Sequence, residues 1–259
     1  MKRIKLTVAY DGTNYHGWQI QPNADTIEGE LNKAISELTG EQIEVIGASR
    51  TDAGVHALGN VAVFDTESRI PGEKFSYALN QRLPEDIIIQ KSEEVDRDFH
   101  PRYQECRKTY EYTILNRRFP LPEYRNTAHF DYGNLDIEAM KKACKAFIGE
   151  HDFAGFCSAG AQVKTTVRTI YSLEVECMEL GGEQENNRLI KIRVNGNGFL
   201  YNMVRIIAGT LLEVGKGNVA PEQMEDIIKS ADRKEAGPTA PAKGLKLVEI
   251  RYVRKLANL

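Results

Sequence analysis

The chain is poor in the residues that build metal, redox or disulfide centres. Its 259 residues include four cysteines, five histidines and one tryptophan. Cys106, Cys144, Cys157 and Cys177 contain no C-x-x-C pair. His16, His56, His100, His129 and His151 contain no pair at i, i+4. A zinc site or a dithiol switch is therefore not expected, and each cysteine reads as a small buried hydrophobe. No stretch approaches the roughly 20 apolar residues needed to cross a bilayer, and Met1–Asp11 has no small-residue cleavage signature. The expectation is a cytoplasmic protein with no membrane partner. Nor does one sign of charge dominate: 34 Lys+Arg stand against 37 Asp+Glu, a net −3. That sum argues weakly against a polyanionic partner, but binding is decided by local patches.

What is present is an ordinary globular composition, 41% apolar and 27% charged. It excludes disordered, collagen-like and disulfide-dense classes. Ile4, Leu6, Val8 and Tyr10 alternate with polar residues, the period of a half-buried strand. Ile27, Leu31, Ile35 and Leu38 fall at helical spacing, with Thr26 as N-cap and Gly40 as stop. Strands are expected at Ile43–Ile46, Asn60–Phe64 and Ile87–Gln90, with a helix over Glu73–Gln81. The second half repeats the mixture. Strands are expected at Arg107–Leu115, Thr166–Glu176, Leu189–Val194 and Leu247–Val253. Helices are expected from Ile137 to Ile148, from Leu200 to Val214 and from Pro221 to Ser230. Hairpin-like strand pairs favour an α+β fold with mainly antiparallel sheet over a parallel doubly wound one. With no Pro/Ser linker, residues 1–259 read as a single catalytic unit. Its two related halves, 1–98 and 106–259, meet near residues 98–106.

One loop stands out for chemistry: Gly47-Ala48-Ser49-Arg50-Thr51-Asp52-Ala53-Gly54-Val55-His56-Ala57. Small residues flanking Arg50 and Asp52 allow a sharp turn and the close approach of a bulky substrate. A carboxylate there can act as nucleophile or general base without a cofactor. The same residues also suit a plain turn, with Asp52 bonding backbone amides and Gly54 supplying a positive φ.

Arg50-Thr51-Asp52-Ala53-Gly54-Val55-His56-Ala57 resembles the signature of the tRNA pseudouridine synthase A family. In family order there follow further matches: Tyr10-Asp11-Gly12 with Gly17-Trp18-Gln19, Leu79-Asn80 with Leu83-Pro84, Phe99-His100, Lys108-Thr109-Tyr110-Glu111-Tyr112, and His151-Asp152-Phe153. Gly198-Phe199-Leu200-Tyr201-Asn202-Met203-Val204-Arg205 with Gly209-Thr210-Leu211 is similar to its C-terminal signature. The resemblance implies two pseudo-symmetric halves around a central cleft. It also implies isomerisation of uridine to pseudouridine in the tRNA anticodon stem-loop (family positions 38 to 40), on a target base flipped out of the stem. Asp52 is implied as the catalytic aspartate, Arg205 as its ionic partner, Tyr110 as the ring against the target base and Arg50 as a contact to the flipped nucleotide. A homodimer is implied, and neither metal nor cofactor is. Ser49 departs from the glycine common at that position, which bears on loop flexibility. His56, His100, His151 and Tyr112 read as structural.

Charge is segregated along the chain. Arg97–Arg125 holds seven bases against four acids, interleaved with Tyr103, Tyr110 and Tyr112, and suits an RNA face. Lys2, Arg3 and Lys5 would extend it. Glu174–Asn187 holds five acids and no base, and is expected to face solvent. Two other classes compete. One is a non-catalytic RNA-binding or chaperone protein on the same fold, which would tolerate loss of Asp52. The other is a nucleotide-binding dehydrogenase, but Gly196-x-Gly198 and Gly215-x-Gly217 do not complete G-x-G-x-x-G.

Overall fold

Ile4, Leu6, Val8 and Tyr10 are buried on one side of the first strand, while Arg3, Lys5 and Thr7 are half-buried on the other. The computed structural model describes residues 1–160, 163–181 and 186–253. In chain order its elements begin with β1 (Lys2–Tyr10), α1 (Ile27–Thr39), β2 (Ile46–Gly47), β3 (His56–Thr66), α2 (Phe75–Leu79) and β4 (Ile87–Val95). Next come β5 (Cys106–Asn116), β6 (His129–Asp131), α3 (Ile137–Cys144), β7 (Gly149–Asp152), β8 (Val167–Glu179) and β9 (Arg188–Gly196). The chain closes with α4 (Met203–Gly215), α5 (Met224–Ser230) and β10 (Leu245–Tyr252). The fold class is α+β. Two units are resolved, Met1–Cys106 together with the strand from Lys246, and Arg107–Leu245.

In the first unit β1 pairs antiparallel with both β4 and β3. The far edge of β3 carries β2 antiparallel at Ile46↔Val63, and β10 parallel at Lys246↔His56 and Leu247↔Ala57. Helix α1 buries Ile27, Leu31, Ala34 and Ile35. Its Thr26 hydroxyl accepts from the Gly29 amide at 3.2 Å, and Gly40 ends it with φ of 74°. Thr26→Ala is expected to cost about 1 kcal/mol, read as a lower urea midpoint with an unchanged slope.

In the second unit β5, β9, β8 and β7 form an antiparallel run, and β6 adds to β5 in parallel at Ile114↔His129. Helix α4 is buried on nearly every side; only Arg205 and Glu213 are not. Its Val, Ile, Thr and Gly residues are weak helix formers, each costing up to about 1 kcal/mol relative to alanine. Each buried Ile, Leu or Met returns about 1.5–3 kcal/mol, so burial decides the conformation. Close approach shapes one side of α4. A Cβ at Gly209 would stand 1.8 Å from the Pro238 carbonyl oxygen, so only glycine lets residues 237–240 cross the helix there.

Several details differ from the sequence reading. The strand expected at Ile43–Ile46 is reduced to Ile46–Gly47. The Ile43 amide donates to Ser36 Oγ at 3.0 Å and the Val45 amide to Asn32 Oδ1 at 2.8 Å, so side chains of α1 capture donors a ladder would use. Of the four cysteines only Cys144 is buried, where desolvation pushes its thiol up to about 12. Cys106 and Cys157 are half-buried and Cys177 is exposed. Arg3 and Lys5 add no free charge, being paired with Asp65 at 2.7 Å and Glu93 at 2.5 Å. Glu174, Glu176 and Glu179 are exposed on β8. Glu183 and Glu185 lie outside the described residues.

Candidate active site

In the first unit Arg50 and Asp52 share the loop between β2 and β3. The Val55 amide donates to the Asp52 carbonyl at 3.1 Å, and Gly54 takes φ of 75°. This is the four-residue turn that a positive-φ glycine at its third position allows. The opening segment of the chain clamps the loop from several sides. The Trp18 amide donates to the Thr51 carbonyl at 3.0 Å, and the Gly54 amide to the Tyr15 carbonyl at 3.3 Å. The Tyr10 hydroxyl and Thr51 Oγ1 lie 2.8 Å apart, and Asn60 Nδ2 donates to Tyr10 Oη at 3.2 Å and to the Ser49 carbonyl at 2.9 Å. Arg102 Nε donates to the Gly47 carbonyl at 3.0 Å. His56 Nδ1 lies 3.0 Å from the Gly12 amide, which donates to it, consistent with a structural histidine.

Two glycines make this clamp close. A Cβ at Gly12 would meet the Val55 carbonyl oxygen at 2.1 Å, and one at Gly17 would meet that of Thr51 at 2.6 Å. The Tyr10-Asp11-Gly12 and Gly17-Trp18 motifs are thus the mould of the Asp52 loop. Asp52 itself is half-buried on this frame. Arg50 is exposed, and among the described residues it makes no ion pair or hydrogen bond.

In the second unit Tyr110 and Arg205 flank the turn after β9. Tyr110 is 6% exposed, and its ring meets Phe199 edge to face at 5.2 Å. Tyr112 is fully buried and donates its hydroxyl to the Pro241 carbonyl at 2.9 Å, a core role. Arg205 is half-buried on α4, with Nε donating to the Ala240 carbonyl at 2.8 Å and Nη1 to Asn202 Oδ1 at 2.7 Å. Asn202 occupies the left-handed region at φ 61°, and its Nδ2 donates to Ser158 Oγ at 3.0 Å. Such a conformation costs about 1–3 kcal/mol and persists where surroundings fix it. Here it aims the side-chain oxygen that orients Arg205.

The supporting residues Tyr10, Asn60, Gly12, Gly17 and Asn202 were not assigned roles from sequence. Tyr10, Gly12, Gly17 and Asn202 lie in the matched motifs, Asn60 does not, and what each touches depends on topology. The basic run fares unevenly. Arg97, Arg102, Arg107, Arg118 and Arg125 are exposed, but of its four tyrosines Tyr110 and Tyr112 are buried, Tyr124 is half-buried and Tyr103 alone, 83% exposed, stands fully in solvent. No group of three or more His, Cys, Asp or Glu side chains among the described residues is placed to hold a metal ion. No helix among them is long and apolar enough to cross a membrane.

Known proteins similar to this chain share one description. A tRNA pseudouridine synthase A from Acetivibrio thermocellus is 51% identical over 252 residues, covering 97% of this chain and 100% of that protein. One from Ruminiclostridium cellulolyticum is 52% identical over 252 residues with the same coverage. Among solved structures, an archaeal box H/ACA sRNP Nop10-Cbf5 complex aligns over 96% of this chain and 47% of that one at 12% identity. The TM-score of that alignment is 0.30. The family model described as tRNA pseudouridine synthase matches residues 6–104 and 143–253, which span both the Asp52 loop and the Arg205 helix. On these grounds the chain belongs to the tRNA pseudouridine synthase family and has its α+β fold.

Proposed function

We propose that this chain isomerises uridine to pseudouridine in the anticodon stem-loop of tRNA, with Asp52 as the reacting carboxylate. The reaction breaks N1–C1′ and forms C5–C1′. The uracil C5 proton leaves and N1 gains one, so atoms balance with no oxidant or group donor. The observation that carries the reading is the clamped Asp52 loop, in a chain 51% identical over 97% of its length to a tRNA pseudouridine synthase A. Asp52 serves as nucleophile or general base. Arg205, pre-oriented by Asn202, is assigned as the cation that keeps this carboxylate ionised in an enclosed site. The two units would act as one catalytic unit.

Arg50, exposed and without a protein partner among the described residues, is assigned to the flipped nucleotide. Extrusion costs a few kcal/mol, which stacking and phosphate contacts of a guanidinium offset in part. Tyr110 is assigned as the ring against the target base. Tyr110→Phe keeps that ring and its packing on Phe199, so it is expected to retain most activity. Single-turnover conversion decides this, and an inactive, folded Phe variant would give the hydroxyl a chemical task instead. A homodimer in the cytoplasm completes the proposal, and sedimentation checks the dimer. A non-catalytic tRNA-binding role would leave Asp52 dispensable. Incubating a tRNA transcript with the pure protein and analysing its nucleosides tests the whole reading.

A further inference from the structure

Arg168, near the start of β8, lies against the same turn that carries Phe199. It is half-buried. Its Nη1 donates to the carbonyls of Thr165 at 3.0 Å and Val167 at 2.6 Å, both in the segment leading to it. That leaves Nε and Nη2, which have no acceptor among the described residues, and no carboxylate there pairs with the guanidinium. Its cross-strand neighbour on β7 is His151, not an acid. Asn197, next along the turn, uses its side-chain oxygen on the Thr169 amide at 3.0 Å. Burial pulls the Arg168 guanidinium below its ordinary range, and only the Cys157 thiol opposes this.

Two other cations of the unit are paired with carboxylates, whereas Arg188 and Arg233 use their nitrogens on carbonyl, amide and hydroxyl oxygens. Arg193 pairs with Glu111 at 3.4 Å and Lys216 with Asp131 at 3.0 Å. A half-buried charge without a counter-charge is costly to fold, and a planar guanidinium edge matches phosphate oxygens two at a time. The Gly198 turn passes beside this edge. A Cβ at Gly198 would stand 3.7 Å from Nε, an ordinary contact distance, which places the guanidinium alongside the turn. Along the strands Gly196 is paired with both Lys108 on β5 and Ile170 on β8, so Lys108 and Arg168 approach one end of the sheet.

We propose that the Nε–Nη2 edge of Arg168 binds a backbone phosphate of the RNA substrate beside the turn bearing Phe199, fixing the strand that presents the target uridine to Tyr110. The inference rests on the reading of the chain as a tRNA-modifying enzyme.

The test is the dissociation constant for a tRNA transcript across a potassium chloride series, for wild type and Arg168→Gln. Loss of one phosphate contact is expected to weaken binding about tenfold and to reduce the slope of log K against log salt by roughly 0.7–0.9. The rate at saturating tRNA should change by less than the binding does. A wild-type slope and affinity in Arg168→Gln overturns the inference. So does a loss confined to the saturated rate, which would make Arg168 a brace for the turn.

If Arg168→Gln does not fold, Arg168→Lys is compared with wild type on anticodon stem-loops carrying one neutral methylphosphonate each. The linkage whose neutralisation weakens wild-type binding most should weaken the Lys variant less, and equal losses overturn the proposal. Inorganic phosphate at constant ionic strength should displace tRNA no better than chloride. Stronger displacement, abolished in the variant, would assign the edge to free phosphate and overturn the RNA assignment. Failure of wild type to form pseudouridine is a separate result and would sink the functional reading itself.

Discussion

Replacing Asp52 by asparagine is expected to reduce pseudouridine formation by about 10³-fold or more, while tRNA binding stays within about tenfold of wild type. Asparagine has the shape of aspartate and leaves the Asp52–Val55 turn intact, since that turn is closed by backbone atoms and by Gly54. What it removes is the anionic oxygen proposed to attack or to take a proton. Affinity for RNA is dominated by contacts of cations to phosphate, which a carboxylate does not supply. Tritium release from tRNA labelled at uridine C5 measures the step directly, because the C5–C1′ bond replaces C5–H. Wild-type release by the Asn variant would remove Asp52 from the chemistry. An asparagine variant that no longer binds tRNA would make Asp52 a docking residue.

Gly12→Ala is expected to be nearly as damaging, although Gly12 is not assigned to touch substrate. Its new Cβ would stand 2.1 Å from the Val55 oxygen and 2.7 Å from the Val55 carbonyl carbon, both backbone atoms that no rotamer change can move aside. The loop must shift, and a displacement on the order of 1 Å at a reacting group costs about 10²-fold in rate. Overpacking of this kind also costs about 1–3 kcal/mol, a drop of several degrees in melting temperature for a chain of this length. Gly40→Ala is the matching control. It meets nothing within 4 Å but sits at φ of 74°, so it strains the end of α1 without touching the loop. It should lower stability and spare activity. If Gly12→Ala retains the wild-type rate, the opening segment does not position Asp52.

Patterns that depend on near neighbours were readable in the sequence. The alternation of Ile4, Leu6, Val8 and Tyr10, the Thr26 cap and the Gly40 stop all follow from local geometry, and all three are found. Features fixed by distant partners were not. β6 and β7 have three and four residues, too few to show a period, and exist because β5 and β8 offer them edges. The helix expected over Glu73–Gln81 is broken into a 3₁₀ turn at Gly72–Lys74 and α2, and Asn80 turns away to bond Ile89 in both directions.

The same division holds at the site. Asp52 and Arg50 could be singled out from one loop. The roles of Gly12, Asn60 and Asn202 depend on which strands lie beside them, and Arg168 shows its missing counter-charge only once β7, β8 and the 196–202 turn are assembled. The net charge of −3 proved uninformative for a similar reason. Glu174, Glu176 and Glu179 are exposed on β8, while exposed arginines occur along the run from Arg97 to Arg125.

The most direct test maps pseudouridines in a tRNA transcript treated with the pure protein and no added cofactor, by carbodiimide modification and primer extension. New stops are predicted at uridines of the anticodon stem-loop, present with wild type and absent with Asp52→Asn. Stops that persist in Asp52→Asn, or none with wild type, would contradict the assignment of this chain as an Asp52-dependent uridine isomerase.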